Sequence, residues 1–144
     1  MRPIYEKEED VKLELEIMNN LKDKWNFEFN KLPMKYILDY VMYRDRKAMA
    51  FCEIKSRNMT TQTNEKYGGF LVALNKWVAA KNLCDATGLP FILIFRLMDG
   101  DYYSSITDFS IHKGIFCYPP RNDRGDWQDQ EPSVRLDVNM FKKI

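Results

Sequence analysis

Apolar residues recur at helical spacing near the start of the chain. Val11, Leu15, Met18, Leu21 and Trp25 predict an amphipathic helix over residues 8 to 25. With successive side chains about 100° apart, Glu14 falls near the middle of that apolar stripe, while Glu9 and Glu16 fall on the solvent side. A glutamate facing the core must snorkel, pair with a lysine or serve a site. The pattern then changes period. Residues 27 to 30 alternate as a short strand before Pro33, and residues 35 to 43 read as a strand rich in aromatic and β-branched positions. Arg44, Asp45 and Arg46 form a charged turn. Residues 47 to 55 are apolar on both faces, which predicts a central strand. Residues 56 to 64 are polar and read as a loop of the kind that often carries function beside a site.

Helical spacing returns over residues 66 to 86, with Phe70, Leu74, Trp77, Ala80 and Cys84 on one stripe. Gly88 suits the C-cap and Pro90 the stop beyond it. Residues 91 to 97 are a continuous apolar run, the mark of a buried strand. Asp99-Gly100 signals a hairpin, with residues 101 to 106 returning. Residues 111 to 118 predict a short strand, 119 to 132 a long polar loop, and 134 to 138 a last edge strand. No repeat or low-complexity tract interrupts this order. It predicts one α/β domain over residues 1 to 144, a sandwich with a mixed sheet whose crossover helix leads into a parallel strand.

Three charges lie inside the apolar runs: Asp39 in the first strong strand, and Glu53 with Lys55 in the second. Charges rarely enter such runs unless they are paired or bind a metal. Side chains two apart share a strand face, so Glu53 and Lys55 point the same way. Asp39 joins them only in some registers. If Tyr43 pairs with Lys47 across a three-residue loop, Asp39 shares the face of Glu53. If Arg44 pairs with Lys47 across two residues, Asp39 comes opposite Cys52 and the site is broken. A functional site is therefore expected to need an odd-length connection.

Composition narrows the class. The 144 residues are 45% hydrophobic and 30% charged, as in an ordinary globular protein, and the net charge of +1 lacks the basic excess of many nucleic-acid binders. No apolar run approaches the roughly 20 residues of a membrane helix, and the acidic N-terminal decapeptide lacks a signal-peptide core. Cys52, Cys84 and Cys117 sit among apolar residues and read as reduced core thiols of an intracellular, cytoplasmic protein.

The E-x-K triplet alone is common. Asp39 on the preceding strand and Glu14 on the preceding helix make it more specific. Together, Leu38-Asp39 and Glu53-Ile54-Lys55 resemble the PD-(D/E)xK nuclease superfamily, with its restriction-endonuclease-like αβββαβ core. The resemblance covers residues 8 to 97, with 98 to 144 as an elaboration; Leu38 stands where the signature has proline. Stand-alone chains of this size are similar to phage nucleases and Holliday-junction resolvases. The resemblance implies that Asp39, Glu53 and the Ile54 carbonyl hold Mg²⁺ or Mn²⁺ and that Lys55 assists the attacking water. Glu14 would add a carboxylate from the helix. A DNA endonuclease is the implied activity, with no organic cofactor or membrane partner and a homodimer as one arrangement. A non-catalytic nucleic-acid-binding protein on the same fold and an RNA-directed nuclease are the alternatives.

Weaker candidates for nucleic-acid contact are Arg44, Arg46 and Lys47 at the hairpin tip, Arg57, Lys66 and Tyr67 after the motif, and Lys76 and Lys81 on the second helix. Lys81 shares the stripe of Trp77 and Cys84; Lys76 lies at its edge. His112, the single histidine, reads as a surface or hydrogen-bonded residue. Tyr102, Tyr103 and Trp127 suit core packing better than base stacking.

Overall fold

The structure, a computed structural model, describes residues 8–33, 37–117 and 132–144. Helix α1 (Glu8–Trp25) is followed by strands β1 (Glu28–Lys31), β2 (Tyr40–Arg44) and β3 (Lys47–Ser56). A short helix α2 (Thr61–Lys66), strand β4 (Phe70–Ala73) and helix α3 (Leu74–Thr87) come next. Strands β5 (Phe91–Leu97), β6 (Gly100–Ile106), β7 (Ile115–Phe116), β8 (Ser133–Leu136) and β9 (Lys142–Lys143), with a 3₁₀ turn over Val138–Met140 before β9, complete the described elements. Six strands form one mixed sheet in the order β1-β2-β3-β5-β6-β9; β4, β8 and β7 form a second, small sheet. Only β3 and β5 run parallel within the large sheet, joined by the α3 crossover as expected.

The large sheet has two dry faces. On one, Ile17, Met18 and Leu21 of α1 pack on Met42, Cys52, Ile54 and Ile94. On the other, Trp77, Ala80 and Cys84 of α3 and Phe70, Val72, Val134 and Leu136 of the small sheet cover Phe51, Phe91, Leu93 and Phe95. Phe70 packs against Phe95 and Phe141 at centroid distances of 4.4 and 4.2 Å. Each buried aliphatic or aromatic side chain contributes roughly 1.5–3 kcal/mol, so both layers hold β3 and β5 firmly.

Several expectations need correction. The apolar stripe of α1 is rotated: Val11 and Leu15 are exposed, and the ridge on the sheet runs through Ile17, Met18 and Leu21. Glu14 belongs to that ridge by its i, i+3, i+4, i+7 spacing. The strand expected from residue 35 begins at Tyr40; Met34 to Tyr36 lie outside the described residues. Ile37 has φ 70°, an outlier for a β-branched residue, and this bend drops Leu38 into the α3-side core. The polar segment 56–64 is not all loop. Helix α2 starts at Thr61, with the Thr60 hydroxyl accepting from the Thr63 N–H. The carboxylate of Asp99 holds both the N–H and the hydroxyl of Thr61.

The helix expected from residue 66 begins only at Leu74. Gly68 and Gly69 take φ 96° and 117°, and a Cβ on Gly69 would stand 2.0 Å from the Leu136 carbonyl oxygen. The chain turns there and spends residues 70–73 in a strand. Gly88 does cap α3, at φ 75°. Strand β8 is central in the small sheet, not an edge. The expected loop at 119 to 132 and Trp127 fall almost wholly outside the described residues. Cys52 and Cys84 are buried free thiols, but Cys117 is exposed.

The hairpin register resolves in an unexpected way. Arg44 pairs with Lys47 across a two-residue turn, with Asp45 at φ 51° and Arg46 at φ 63°, the pattern of a type I′ turn. That even turn alone would break the site. A bulge between Met42 and Tyr43 sets it right: Tyr43 pairs with Ala48 but Met42 pairs with Ala50, leaving Met49 as the extra residue. Beyond it Val41 meets Phe51 and Tyr40 meets Cys52. Continued by one residue, that register sets Asp39 opposite Glu53. The expected odd-length connection is thus wrong, and the bulge supplies the missing residue.

Candidate active site

The site lies where β2 ends and β3 continues. β3 pairs with β5 as far as Ser56, while the ladder with β2 stops at Tyr40. Glu53 faces the α3 side with Phe51, and its side chain is wholly buried. Two latches join it to Asp39. The Asp39 N–H donates to Glu53 Oε2 at 3.0 Å, and the Ile54 N–H donates to Asp39 Oδ2 at 3.4 Å. A strand residue presents its N–H and C=O to the same edge. The Ile54 carbonyl therefore also faces the edge that β2 has vacated.

Two lysines converge on the pair. Lys55, on the same strand face, sets Nζ 3.0 Å from Glu53 Oε1. Lys76 enters from the first turn of α3; its Nζ donates to the same Oε1 and lies 3.8 Å from Asp39 Oδ1. Burial pushes the Asp39 carboxyl up, and the Glu53 charge pushes it further; Lys76 and Lys55 only partly offset this, leaving Asp39 at about 6. Burial alone would also raise Glu53, but Lys55 and Lys76 outweigh it and hold that carboxyl below its usual range. Burial disfavours the Lys76 ammonium, yet Glu53 and Asp39 keep it above the ordinary lysine range. The two neighbouring carboxyls are thus pushed in opposite directions, Glu53 down and Asp39 up to about 6.

Glu14 does not join this pair directly. It reaches the vacated edge from the α1 side, where its Oε2 accepts from the Tyr40 hydroxyl at 2.6 Å. Lys31 of β1 stands between, 3.8 Å from Glu14 Oε2 and 4.0 Å from Asp39 Oδ1. Among the described residues no three His, Cys, Asp or Glu side chains converge on one point. A cation here would rely on two carboxylates and a backbone oxygen. The donor set suits one nonetheless: all oxygen, with both carboxylates within 4.0 Å of a single ammonium. Hard oxygen donors fit Mg²⁺ or Mn²⁺ rather than Zn²⁺.

The family described as "Phage putative PDDEXK endonuclease" matches residues 1–144. The chain belongs to this family. Among solved structures the chain is similar to Hjc, a Holliday junction resolvase from Archaeoglobus fulgidus, with a TM-score of 0.58 and 11% identity. The match covers 93% of this chain and 90% of that one, and it establishes the fold. No curated protein matches the chain in sequence.

The remaining candidates separate by position. Arg44 donates to the carbonyls of Trp25 and Asn26 and lies over the Phe27 ring at 4.0 Å, so it ties the hairpin to α1. It and the exposed Arg46 and Lys47 occupy the far end of β3, roughly 20 Å of strand from Glu53. Lys81 is exposed and pairs with Asp85 at 2.6 Å. Trp77, Ala80 and Cys84 do form the inward stripe, yet Lys81, expected on it, turns out to solvent, while Lys76 at its edge reaches the carboxylates. Arg57 extends the face of Glu53 and Lys55, its guanidinium 5.7 Å from the Phe95 ring centre. Lys66 and Tyr67 are exposed at the end of α2. His112 is exposed, its Nδ1 accepting from the Gly114 N–H. Tyr103 packs edge-on against Trp25 and Tyr102 lies against the core, as expected of packing residues. Sequence reasoning missed Tyr40 and Lys31; alternation marks Tyr40 only as a core position, and nothing local marks Lys31.

Proposed function

We propose that the chain is a Mg²⁺- or Mn²⁺-dependent deoxyribonuclease that cuts within DNA strands. The observation that carries this reading is the latched Asp39–Glu53 pair at the strand edge, with Lys55 beside it. Asp39, Glu53 and the Ile54 carbonyl would hold the ion. When bound, such an ion lowers the pKa of a water molecule and offsets phosphate charge. Glu53, buried and ionised, fixes the position of the pair. Lys55 stands on the open side, where it orients the attacking water and stabilises the charge that builds on the phosphate. Glu14 orders the edge through Tyr40 and Lys31. Arg57, on the same face and next beyond Lys55, is the residue best placed to take a flanking phosphate.

DNA as substrate is supported by family membership and by the resolvase-like fold. Incubation with single-stranded, duplex and branched DNA, and with RNA, in Mg²⁺ or Mn²⁺ tests it. Cleavage of closed circular DNA that is lost in Asp39→Ala and Lys55→Ala supports the reading. Cleavage that survives both substitutions overturns the site, and DNA binding without cleavage in either metal favours a non-catalytic binding protein.

A further inference from the structure

Lys76 stands between the two carboxylates that the proposed function assigns to a metal ion. Its ammonium contacts Glu53 Oε1 directly and lies 3.8 Å from Asp39 Oδ1, while Lys55 independently pairs with the same Glu53 oxygen. The four charges cancel as they stand: two carboxylates and two ammonium groups. Mg²⁺ takes its oxygen ligands at about 2.0–2.1 Å, so an ion shared by this pair would need the space that the Lys76 Nζ holds. It would also bring two further positive charges to a cluster already neutral, and like charges at such range repel strongly.

We infer that Lys76 is a built-in, displaceable counter-ion, which holds the Asp39–Glu53 pair together before metal binds and gives up its place to the metal. The two lysines differ in what they touch. Lys55 pairs with Glu53, whereas Lys76 contacts Glu53 and also lies 3.8 Å from Asp39. Lys76 reaches in from the first turn of α3 on a flexible four-carbon stem, with its side chain still 18% exposed, so rotamer changes can carry its ammonium outward. Outward is toward the open edge, where a phosphate would lie. Lys76 thus acts as a positioning residue through the carboxylates, and its exchange couples metal entry to a cation freed for the substrate.

This inference rests on the proposed metal site, and calorimetry on the full-length chain separates the two. Mn²⁺ is titrated without DNA into the wild type, Lys76→Met, Lys76→Arg and Asp39→Asn. Lys76→Met is expected to bind Mn²⁺ about tenfold or more tightly than the wild type, because a competing charge is gone. Lys76→Arg keeps the charge and is expected to stay within about threefold of the wild type. A merely structural lysine gives the opposite result, with weaker or unchanged binding in Lys76→Met, and that outcome overturns the inference while leaving the metal site standing. Equal tightening in Lys76→Arg also overturns it, since charge would not be the cause. No Mn²⁺ binding in the wild type or in Lys76→Met overturns both. Should Lys76→Met fail to fold, the wild type carries the test through the ¹⁵N signal of the Lys76 ammonium. Protection from solvent exchange that is lost on adding diamagnetic Mg²⁺ supports displacement; protection that persists at saturating Mg²⁺ refutes it.

Discussion

The large sheet carries two ion clusters, and they are built on opposite terms. On the α1 side, Arg96 of β5 sets its guanidinium fork on Asp101 at 2.8 and 3.0 Å and reaches Glu16 at 3.0 Å. The planar fork meets each acceptor with its own donor. On the α3 side, two lysines crowd one oxygen of the buried Glu53, and Asp39 is pushed up to about 6 by burial and by its neighbour. In the first cluster each acceptor atom has its own donor, the form of a structural clasp. In the second, two ammonium groups share one oxygen of a carboxylate with no solvent exposure. Shared acceptors combined with full burial of Glu53, rather than the number of ion pairs, distinguish the candidate site.

Substitutions that spare charge-free volume should pull these clusters apart most clearly. Glu53→Gln and Asp39→Asn are expected to lower DNA cleavage by about a thousandfold or more, while Arg96→Ala leaves it within about threefold. Single-turnover rates on plasmid DNA in Mg²⁺ measure this; comparable losses in both clusters would erase the distinction. Next in size is Lys55→Ala, expected to lower the rate by roughly a hundredfold or more while Mn²⁺ still binds. Loss of metal binding in that variant would move Lys55 from the chemistry to the scaffold.

Stability should separate the clusters with opposite signs. The Asp39 carboxyl takes up a proton at about 6 in the fold against an ordinary 3.8. Without metal, its ionisation opposes folding: stability from this group is highest at low pH and declines as pH rises from 3.8 to about 6. Asp39→Asn is therefore expected to stabilise the metal-free protein at pH 8, by on the order of 1–2 kcal/mol, and to do little at pH 4. Arg96→Ala is expected to destabilise by about 1 kcal/mol. Urea unfolding at both pH values checks the pair. By the same proton competition, Mn²⁺ affinity should weaken as pH falls below about 6. The smallest effect concerns the hairpin. Asp45→Asn with Arg46→Gly suits the type I′ turn and should add about 1 kcal/mol without changing cleavage; destabilisation would contradict the two-residue turn.

Much of the candidate site is legible in the chain. Asp39, Glu53 and Lys55 stood out because charge inside an apolar run is rare, and Glu14 because it interrupts a core-facing stripe. Register was not legible. The parity of Asp39 and Glu53 depends on a bulge at Met49, and no residue type announces a bulge of this kind. The start of α3 is hidden because Phe70 and Leu74 continue a helical period across Gly68 and Gly69. The close approach of Gly69 to the Leu136 carbonyl is a long-range contact that local pattern does not record. Tyr40 and Lys31 enter through tertiary geometry alone: one is a core aromatic whose hydroxyl meets Glu14, the other an ordinary strand lysine.

The proposed metal pair is most directly tested by a crystal structure of the wild type soaked in Mn²⁺, read by anomalous scattering. A peak shared by Asp39, Glu53 and the Ile54 carbonyl, with the Lys76 ammonium moved away from both carboxylates, is the expected result. Mn²⁺-dependent cleavage by a protein whose crystals show no anomalous peak between Asp39 and Glu53 would contradict it.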